Sequence, residues 1–160
     1  MTPEELQTVK QIEIPKYMGD WYVIANIPLP LEGDLVNAIE SYSWNEKENR
    51  IDINYRGRKK SVDGELKTYP QKGFIYDKKT NAEWRVQFIW PLKFSYLIQE
   101  IADDYSYTIV GVPSKKYLWI MGRKPTMDEK TYKMLVAKAQ NLGYDISKIK
   151  KVTQEWPEKN

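Results

Sequence analysis

The chain has 160 residues, a formal net charge of +3, and neither cysteine nor histidine. That length suits one domain, residues 1–160, built around a single sizeable core. The missing residue types remove disulfides, thiol nucleophiles, Ser-His-Asp triads and thiolate or imidazole metal sites, so enzyme chemistry would have to rest on carboxylates, Tyr, Lys or Arg.

Thr2-Pro3-Glu4-Glu5 reads as a capping box with proline at the first helical position, which predicts a short helix inside an N-terminal segment 1–19. Nothing at the start has the apolar run and basic flank of a secretory leader. The expectation is a cytosolic protein or a form whose leader has been removed. No run of apolar residues is long enough for a spanning helix. From residue 20 onward, strand-like runs follow at 20–28, 36–45, 50–57, 64–76, 82–90, 94–102, 105–112 and 116–123. The links between them are short turns such as "NEKEN", "DKKTN" and "PSK". Eight consecutive strands with short links predict an all-β fold, an eight-stranded antiparallel up-and-down β-barrel over 20–123. A C-terminal helix is predicted over 126–142, with Thr126 as N-cap, Glu129 completing a capping box and Gly143 just past the end. Its stripe of Tyr132, Leu135, Val136, Ala139 and Leu142 must pack on the outside of the barrel wall. A short final strand over 148–154 completes the chain.

Two motifs, one at each end of the barrel's stretch of sequence, carry a family resemblance. "YMGDWYVIA" holds Gly19-Asp20-Trp21, and "YLWIMGRKP" places Arg123 two residues before a proline. In this order, with eight strands and a capped helix, they resemble the lipocalins. "NLGYDISKIKKVTQ" adds a likeness to the bacterial outer-membrane lipoprotein members and to the plant temperature-induced and apolipoprotein-D-like group. The resemblance implies a structural floor of Gly19, Trp21 and Arg123, the guanidinium packed across the indole at the closed end. A middle T-D-Y motif is degraded here to Ala102-Asp103-Asp104-Tyr105, and the lipobox cysteine of the bacterial members is missing. The bacterial likeness implies a cell-envelope or outer-membrane location.

Side chains alternate in and out along a strand. The parity of Trp21 puts Val23 and Ala25 inside, and that of Arg123 puts Tyr117, Trp119 and Met121 inside. Ile51, Ile53 and Tyr55 alternate cleanly with polar residues, as do Trp84, Val86, Phe88 and Trp90. Where the pattern is ambiguous, the resemblance favours Ala38, Glu40 and Tyr42, Gly73 and Ile75, and Tyr96, Ile98 and Glu100 as inner residues. The candidate ligand contacts are therefore Val23, Ala25, Ala38, Glu40, Tyr42, Ile53, Tyr55, Ile75, Val86, Phe88, Trp90, Tyr96, Ile98, Tyr117, Trp119 and Met121. The meander gathers Arg56, Arg58, Lys59, Lys60, Lys93, Lys115 and Lys116 on loops at the open end, which predicts a basic rim.

The resemblance implies a calyx that binds, stores or carries a small hydrophobic ligand, a fatty acid or lysophospholipid being the first expectation. No cofactor is expected. The rim could also touch an anionic membrane surface. Nucleic acid is a poor partner, because the aromatics face inward instead of interleaving with the basic residues. A homodimer and a monomer are both compatible with the sequence. Three alternatives stay open: a carrier of a retinoid, bilin or haem, a lipocalin-fold enzyme using Glu40 and Glu100, and an interaction protein whose barrel is filled by its own side chains.

Overall fold

The structure, a computed structural model, describes residues 2–89 and 92–158. Two short helices, α1 (Pro3–Leu6) and α2 (Ile14–Tyr17), precede the barrel. Thr2 and Glu5 cap each other as the sequence predicts, Thr2 N donating to Glu5 Oε2 at 2.7 Å and Glu5 N to Thr2 Oγ1 at 3.3 Å. Helix α2 carries no apolar period of its own and escapes sequence reading. It lies beneath the barrel and inserts Tyr17 into the core.

Eight antiparallel strands follow: β1 (Gly19–Ile27), β2 (Leu35–Asn45), β3 (Arg50–Lys59), β4 (Leu66–Ile75), β5 (Glu83–Ile89), β6 (Leu92–Ile101), β7 (Tyr107–Gly111) and β8 (Leu118–Gly122). Each pairs with its sequence neighbours, and β1 pairs with both β8 and β2, which closes the barrel. Helix α3 (Glu129–Asn141) packs outside. Its Leu135 and Ala139 are buried with Ala25, Ile27, Ile109, Leu118 and Ile120, so the helix covers the β1–β7–β8 wall. The cap is Asp128, not Thr126: its side chain accepts from Thr131 N. An ionised carboxylate at that position caps the first turn and also meets the helix dipole. Met127 meanwhile joins the apolar cluster under the helix.

The barrel closes imperfectly, and the chain uses its own end to complete it. β1 bonds β2 only from Gly19 to Tyr22, while its second half bonds β8. Beyond Tyr22 the strands part, each with an irregularity: a register shift between Val23 and Ala25 on β1, and one between Val36 and Ile39 on β2, where Asn37 has φ 54°. The C-terminal segment fills that seam. Strand β9 (Lys150–Lys151) pairs with Ala25 and Asn26, and Val152 N donates to Ile24 O. Gln154 Nε2 then bridges both strands, donating to Val23 O at 2.9 Å and Ala38 O at 3.0 Å. Asn37 fixes the last turn, receiving Glu155 N and donating to Glu155 O and Glu158 Oε2.

The bulge on β1 overturns one expectation. It consumes one residue of the inside–outside period, so Ala25 faces outward beneath α3 and Asn26 takes the inner position, 3% exposed. A second bulge, between Ile98 and Glu100 on β6, does the same there. Ile98 points in, but Glu100 points out, with Oε2 at 3.9 Å from Lys138 Nζ of α3.

Candidate functional site

The lower half of the interior is solid. Tyr17, Trp21, Tyr42, Trp84 and Tyr96 form one aromatic cluster, with Trp84 and Tyr96 stacked at 4.6 Å between centroids. Their polar edges are satisfied locally. Trp21 Nε1 donates to Tyr17 O, Trp84 Nε1 donates to Asn81 O, and the Tyr17, Tyr42, Tyr96 and Thr108 hydroxyls form a chain. Burial pushes Tyr17, Tyr42 and Tyr96 well above the ordinary phenol range, so all three stay neutral. Arg123 seals the closed end. Its guanidinium lies 3.7 Å from the Trp21 ring centroid and donates to the carbonyls of Lys16, Asp20 and Tyr105. The degraded motif thus still takes part: Tyr105, at φ 58°, offers its carbonyl to Arg123, and its hydroxyl receives Glu13 N. Gly19 has φ 101°, a backbone conformation that L side chains rarely adopt, and it starts β1 beside the Arg123 guanidinium.

The upper half is open. A cavity of about 440 Å³ lies between the β1–β2 loop and strands β3 to β6, lined by Leu29, Pro30, Leu31, Glu32, Tyr55, Tyr69, Gln71, Phe88, Lys93 and Phe94. A second cavity of about 400 Å³ shares Leu29 and Phe94 with it and reaches Val112, Tyr117 and Trp119. Neither is roofed by a strand. The roof is the β1–β2 loop, whose 3-10 turn Pro30–Glu32 folds back into the mouth.

Glu32 holds that loop in place. Its Oε1 accepts from Trp119 Nε1 at 2.9 Å and from Leu29 N at 2.9 Å, and the residue is 4% exposed. Loss of water raises its carboxyl to about 7, against the partial relief given by those donors. Glu40, opposite Tyr55 in the β2–β3 ladder, lies deeper. Burial first, and the Glu32 charge second, raise it to about 8, with the Tyr42 hydroxyl as its local support. Tyr55 stands between them. Its hydroxyl is buried beside Glu32, Glu40 and Asn26 in a geometry that makes none of these contacts a hydrogen bond. Among the described residues no salt bridge reaches Glu32 or Glu40, and no cluster of three acidic side chains is placed to hold a metal ion.

The sequence-derived candidates divide accordingly. Tyr55, Phe88, Tyr117 and Trp119 line the open cavities. Val23, Ala38, Glu40, Tyr42, Ile53, Ile75, Val86, Tyr96, Ile98 and Met121 face inward, within or against the inner core. Ala25 lies outside, and Trp90 falls outside the described residues. The Glu40–Glu100 pair does not exist, because the bulge turns Glu100 onto α3; the acid that meets Glu40 is Glu32. Among the linings that sequence reading missed are Tyr69, Gln71, Phe94, Val112 and the loop residues Leu29, Pro30, Leu31 and Glu32. Tyr69 and Gln71 share the parity of Gly73 and Ile75, and Phe94 shares that of Tyr96, so extending each period by one step finds them. Glu32 sits in a loop, where no period exists.

The basic rim does not assemble as expected. Arg56 lies on the outer wall of β3, donating to Ser41 Oγ near Asp20, because mid-strand positions of its parity face solvent. Arg58 pairs with Glu158 of the C-terminal segment. Lys93 lies over the Phe74 ring at 4.5 Å, and Lys115 bonds Gln7 and covers Tyr144. Lys59, at the end of β3, and Lys60 and Lys116, on turns, are left exposed at the open end.

Known proteins share this sequence and this shape. Residues 12–154 match the family model described as a lipocalin-like domain. Temperature-induced lipocalin-1 of Arabidopsis thaliana is 34% identical over 94% of this chain and 84% of its own. Outer membrane lipoprotein Blc of Vibrio cholerae is 27% identical over 96% of this chain and 89% of its own. Insecticyanin of the tobacco hornworm Manduca sexta superposes with a TM-score of 0.71 at 16% identity, over 94% of this chain and 84% of its own, a likeness of fold. With an eight-stranded barrel plugged at one end by Trp21 and Arg123 and open at the other, the chain belongs to the lipocalin family.

Proposed function

We propose that the protein binds and carries one small amphiphile with an acyl chain, a fatty acid or lysophospholipid, hydrocarbon inside the calyx and head group beneath the β1–β2 loop. The observation that carries this reading is the cavity of about 440 Å³ walled by Leu29, Tyr55, Tyr69, Phe88 and Phe94. That size lies in the range of small-molecule sites, roughly 300–1,000 Å³, and its apolar wall with few polar groups is the usual composition. The mechanism is partition. Each methylene that leaves water contributes about 0.8 kcal/mol, and the cost of ordering the ligand removes several kcal/mol of the total. A micromolar dissociation constant, about −8 kcal/mol, is the expected scale.

Family membership supports binding over catalysis, since lipocalins are typically non-enzymatic binding proteins. Glu40 and Glu100 are also split across the wall, one facing in and the other facing α3. A relative named as an outer membrane lipoprotein makes a location at the cell envelope worth testing for this chain.

Two measurements test the reading together. Organic extracts of the natively purified protein, analysed by mass spectrometry, should contain an acyl-chain lipid near one equivalent. A fluorescent fatty-acid probe should bind the folded protein and be displaced by that lipid. Extracts without lipid, together with a probe that binds only after unfolding, would overturn the proposal.

A further inference from the structure

The top of the calyx buries two carboxyls that no salt bridge reaches among the described residues. Glu32 spends both of its hydrogen bonds on one oxygen, Oε1, and Oε2 receives none. Glu40 lies behind it, 5% exposed, and the two carboxyls raise each other's cost of ionisation. Tyr55 is 3% exposed, its hydroxyl lies in the field of both, and it makes no hydrogen bond among the described residues. Buried carboxylates without a cation cost several kcal/mol unless they stay protonated or acquire a partner. The Glu32 side chain also lines the larger cavity, so a ligand resting there meets it directly.

The geometry points to an ammonium subsite: we propose that the calyx prefers amphiphiles whose head carries a protonated amine, seated between Glu32 Oε2 and the Tyr55 hydroxyl. A primary ammonium has three donors and no acceptor, which matches a carboxylate oxygen and a phenol oxygen both lacking donors. Charge-assisted hydrogen bonds of this kind are about twice as strong as neutral ones. Glu40 adds a second negative charge behind the first. A free carboxylate or phosphate head at the same place would meet like charge, so plain fatty acids become the weaker ligands and amine-bearing lysolipids the stronger. The inference rests on the calyx being the ligand site.

Binding should also move protons. The titratable groups that face the subsite are Glu32 from the β1–β2 loop, Glu40 and Tyr42 from β2 and Tyr55 from β3, with Tyr17 and Tyr96 below them. Tyr69 of β4 and Lys93 of β6 line the same cavity, the Lys93 ammonium held over the Phe74 ring. The four buried tyrosines are neutral before and after. Burial favours the protonated form of both glutamates in the empty protein, and an arriving ammonium expels part of that proton load to solvent while keeping its own.

Isothermal titration calorimetry of decylamine, decanol and decanoate, each below its micelle concentration, tests this in the intact protein. At about pH 7 decylamine should bind at least about tenfold tighter than decanol, a difference of roughly 1.4 kcal/mol. Its heat should depend on buffer ionisation enthalpy with the sign of proton release, whereas the heat of decanol should not. In Glu32→Gln the ratio of decylamine to decanol affinity should fall toward one, and Tyr55→Phe should lower it severalfold. A wild-type ratio within about twofold overturns the ammonium subsite while leaving the hydrophobic calyx intact. A high ratio that survives in the Glu32→Gln, Glu40→Gln double variant overturns it as well. Failure of all three alkyl chains to bind would bring down the calyx reading, and the subsite with it.

Discussion

The guanidinium of Arg123 lies face-on over the indole of Trp21, 3.7 Å from its centroid, and spends its N–H groups on three carbonyls from three different segments. One residue thereby ties α2, the start of β1 and the β6–β7 turn to the end of β8. This joint sits at the far end of the barrel from the cavities.

Removing the Arg123 side chain should therefore cost stability and spare binding. Arg123→Ala loses the cation–π contact and leaves carbonyls at the floor to water, a loss of about 2–4 kcal/mol. Arg123→Lys keeps the charge and loses the planar fork, and should still cost about 1–2 kcal/mol. Chemical denaturation measures both. Fatty-acid probe affinity, corrected for the unfolded fraction, should stay within about threefold, and a large affinity loss at unchanged stability would contradict the assignment.

Trp119 has two attachments, a ring on the cavity wall and an N–H on Glu32. Trp119→Ala should weaken a fatty-acid probe by about 1–3 kcal/mol through lost buried area. Trp119→Phe keeps most of that area but releases the loop that Glu32 anchors. Stopped-flow fluorescence should then show faster entry and faster exit, with less effect on the equilibrium constant. Unchanged rates in both variants would separate Trp119 from the site.

The two buried glutamates predict an unusual pH profile. Both have folded-state values raised above the ordinary carboxylate value, Glu32 to about 7 and Glu40 to about 8, so the folded protein binds more protons than the unfolded chain between those limits. Their contribution is then fully present at low pH and is lost as pH rises through their folded values. Asp52, Asp104, Asp128, Asp145 and Glu158 are lowered, and act oppositely and at lower pH, losing stability only as pH falls through the acid range. The unfolding free energy of the ligand-free protein should thus fall between about pH 5 and 8, by several kcal/mol, with the melting temperature following it down. Glu40→Gln should flatten that slope. A profile that rises over this interval would show that the pair is ionised and compensated in the folded state.

Charge reversal at the open end should separate turn from seam. Lys59→Glu with Lys60→Glu changes two exposed residues, the last of β3 and the first of the turn after it, and exposed charges are each worth roughly 0–1 kcal/mol. Association of an anionic probe should slow by less than about threefold at low salt. Arg58→Glu instead sets like charge against Glu158, so it should lower stability and loosen the C-terminal segment toward proteolysis. If Arg58→Glu changes only the association rate, the pairing with Glu158 is not the one that matters in solution.

Gln154 gives the sharpest test of the seam. Gln154→Ala strips the donor from two carbonyls on separate strands, Val23 and Ala38, at an expected cost of about 1–3 kcal/mol. Hydrogen exchange should rise first at the upper ends of β1 and β2. Uniform exchange across the barrel would mean that the seam opens only with global unfolding.

The barrel was legible in the sequence because its signal is redundant. Eight runs, short turns and the Trp21 and Arg123 motifs all agree, and strands such as β3, with Ile51, Ile53 and Tyr55 against Asp52, Asn54 and Arg56, declare their faces outright. Inner positions failed where the period of two is broken. A bulge inserts one unpaired residue, and neither Ile24 nor Gln99 carries a residue type that announces it, so Ala25 and Glu100 were placed on the wrong face. The roof failed for a different reason. Glu32 reaches Trp119 across 87 positions of sequence, through a loop whose conformation depends on that contact. The rim failed because long cationic side chains take whatever partner the fold brings near, as Arg58 does with Glu158.

The seam between β1 and β2 also sets a schedule. Gln154 joins Val23 across 131 residues and Ala38 across 116, so the first two strands made cannot finish their mouth-side edges until the last residues arrive. A chain emerging from the ribosome would carry that gap, with unpaired backbone on both sides, through all but the final moments of synthesis. Contacts of such long span are slow to form, and open strand edges are the places where one molecule recruits another. The same few C-terminal residues therefore act as a maturation step, and nascent chains stalled before residue 150 should be the ones that need a chaperone.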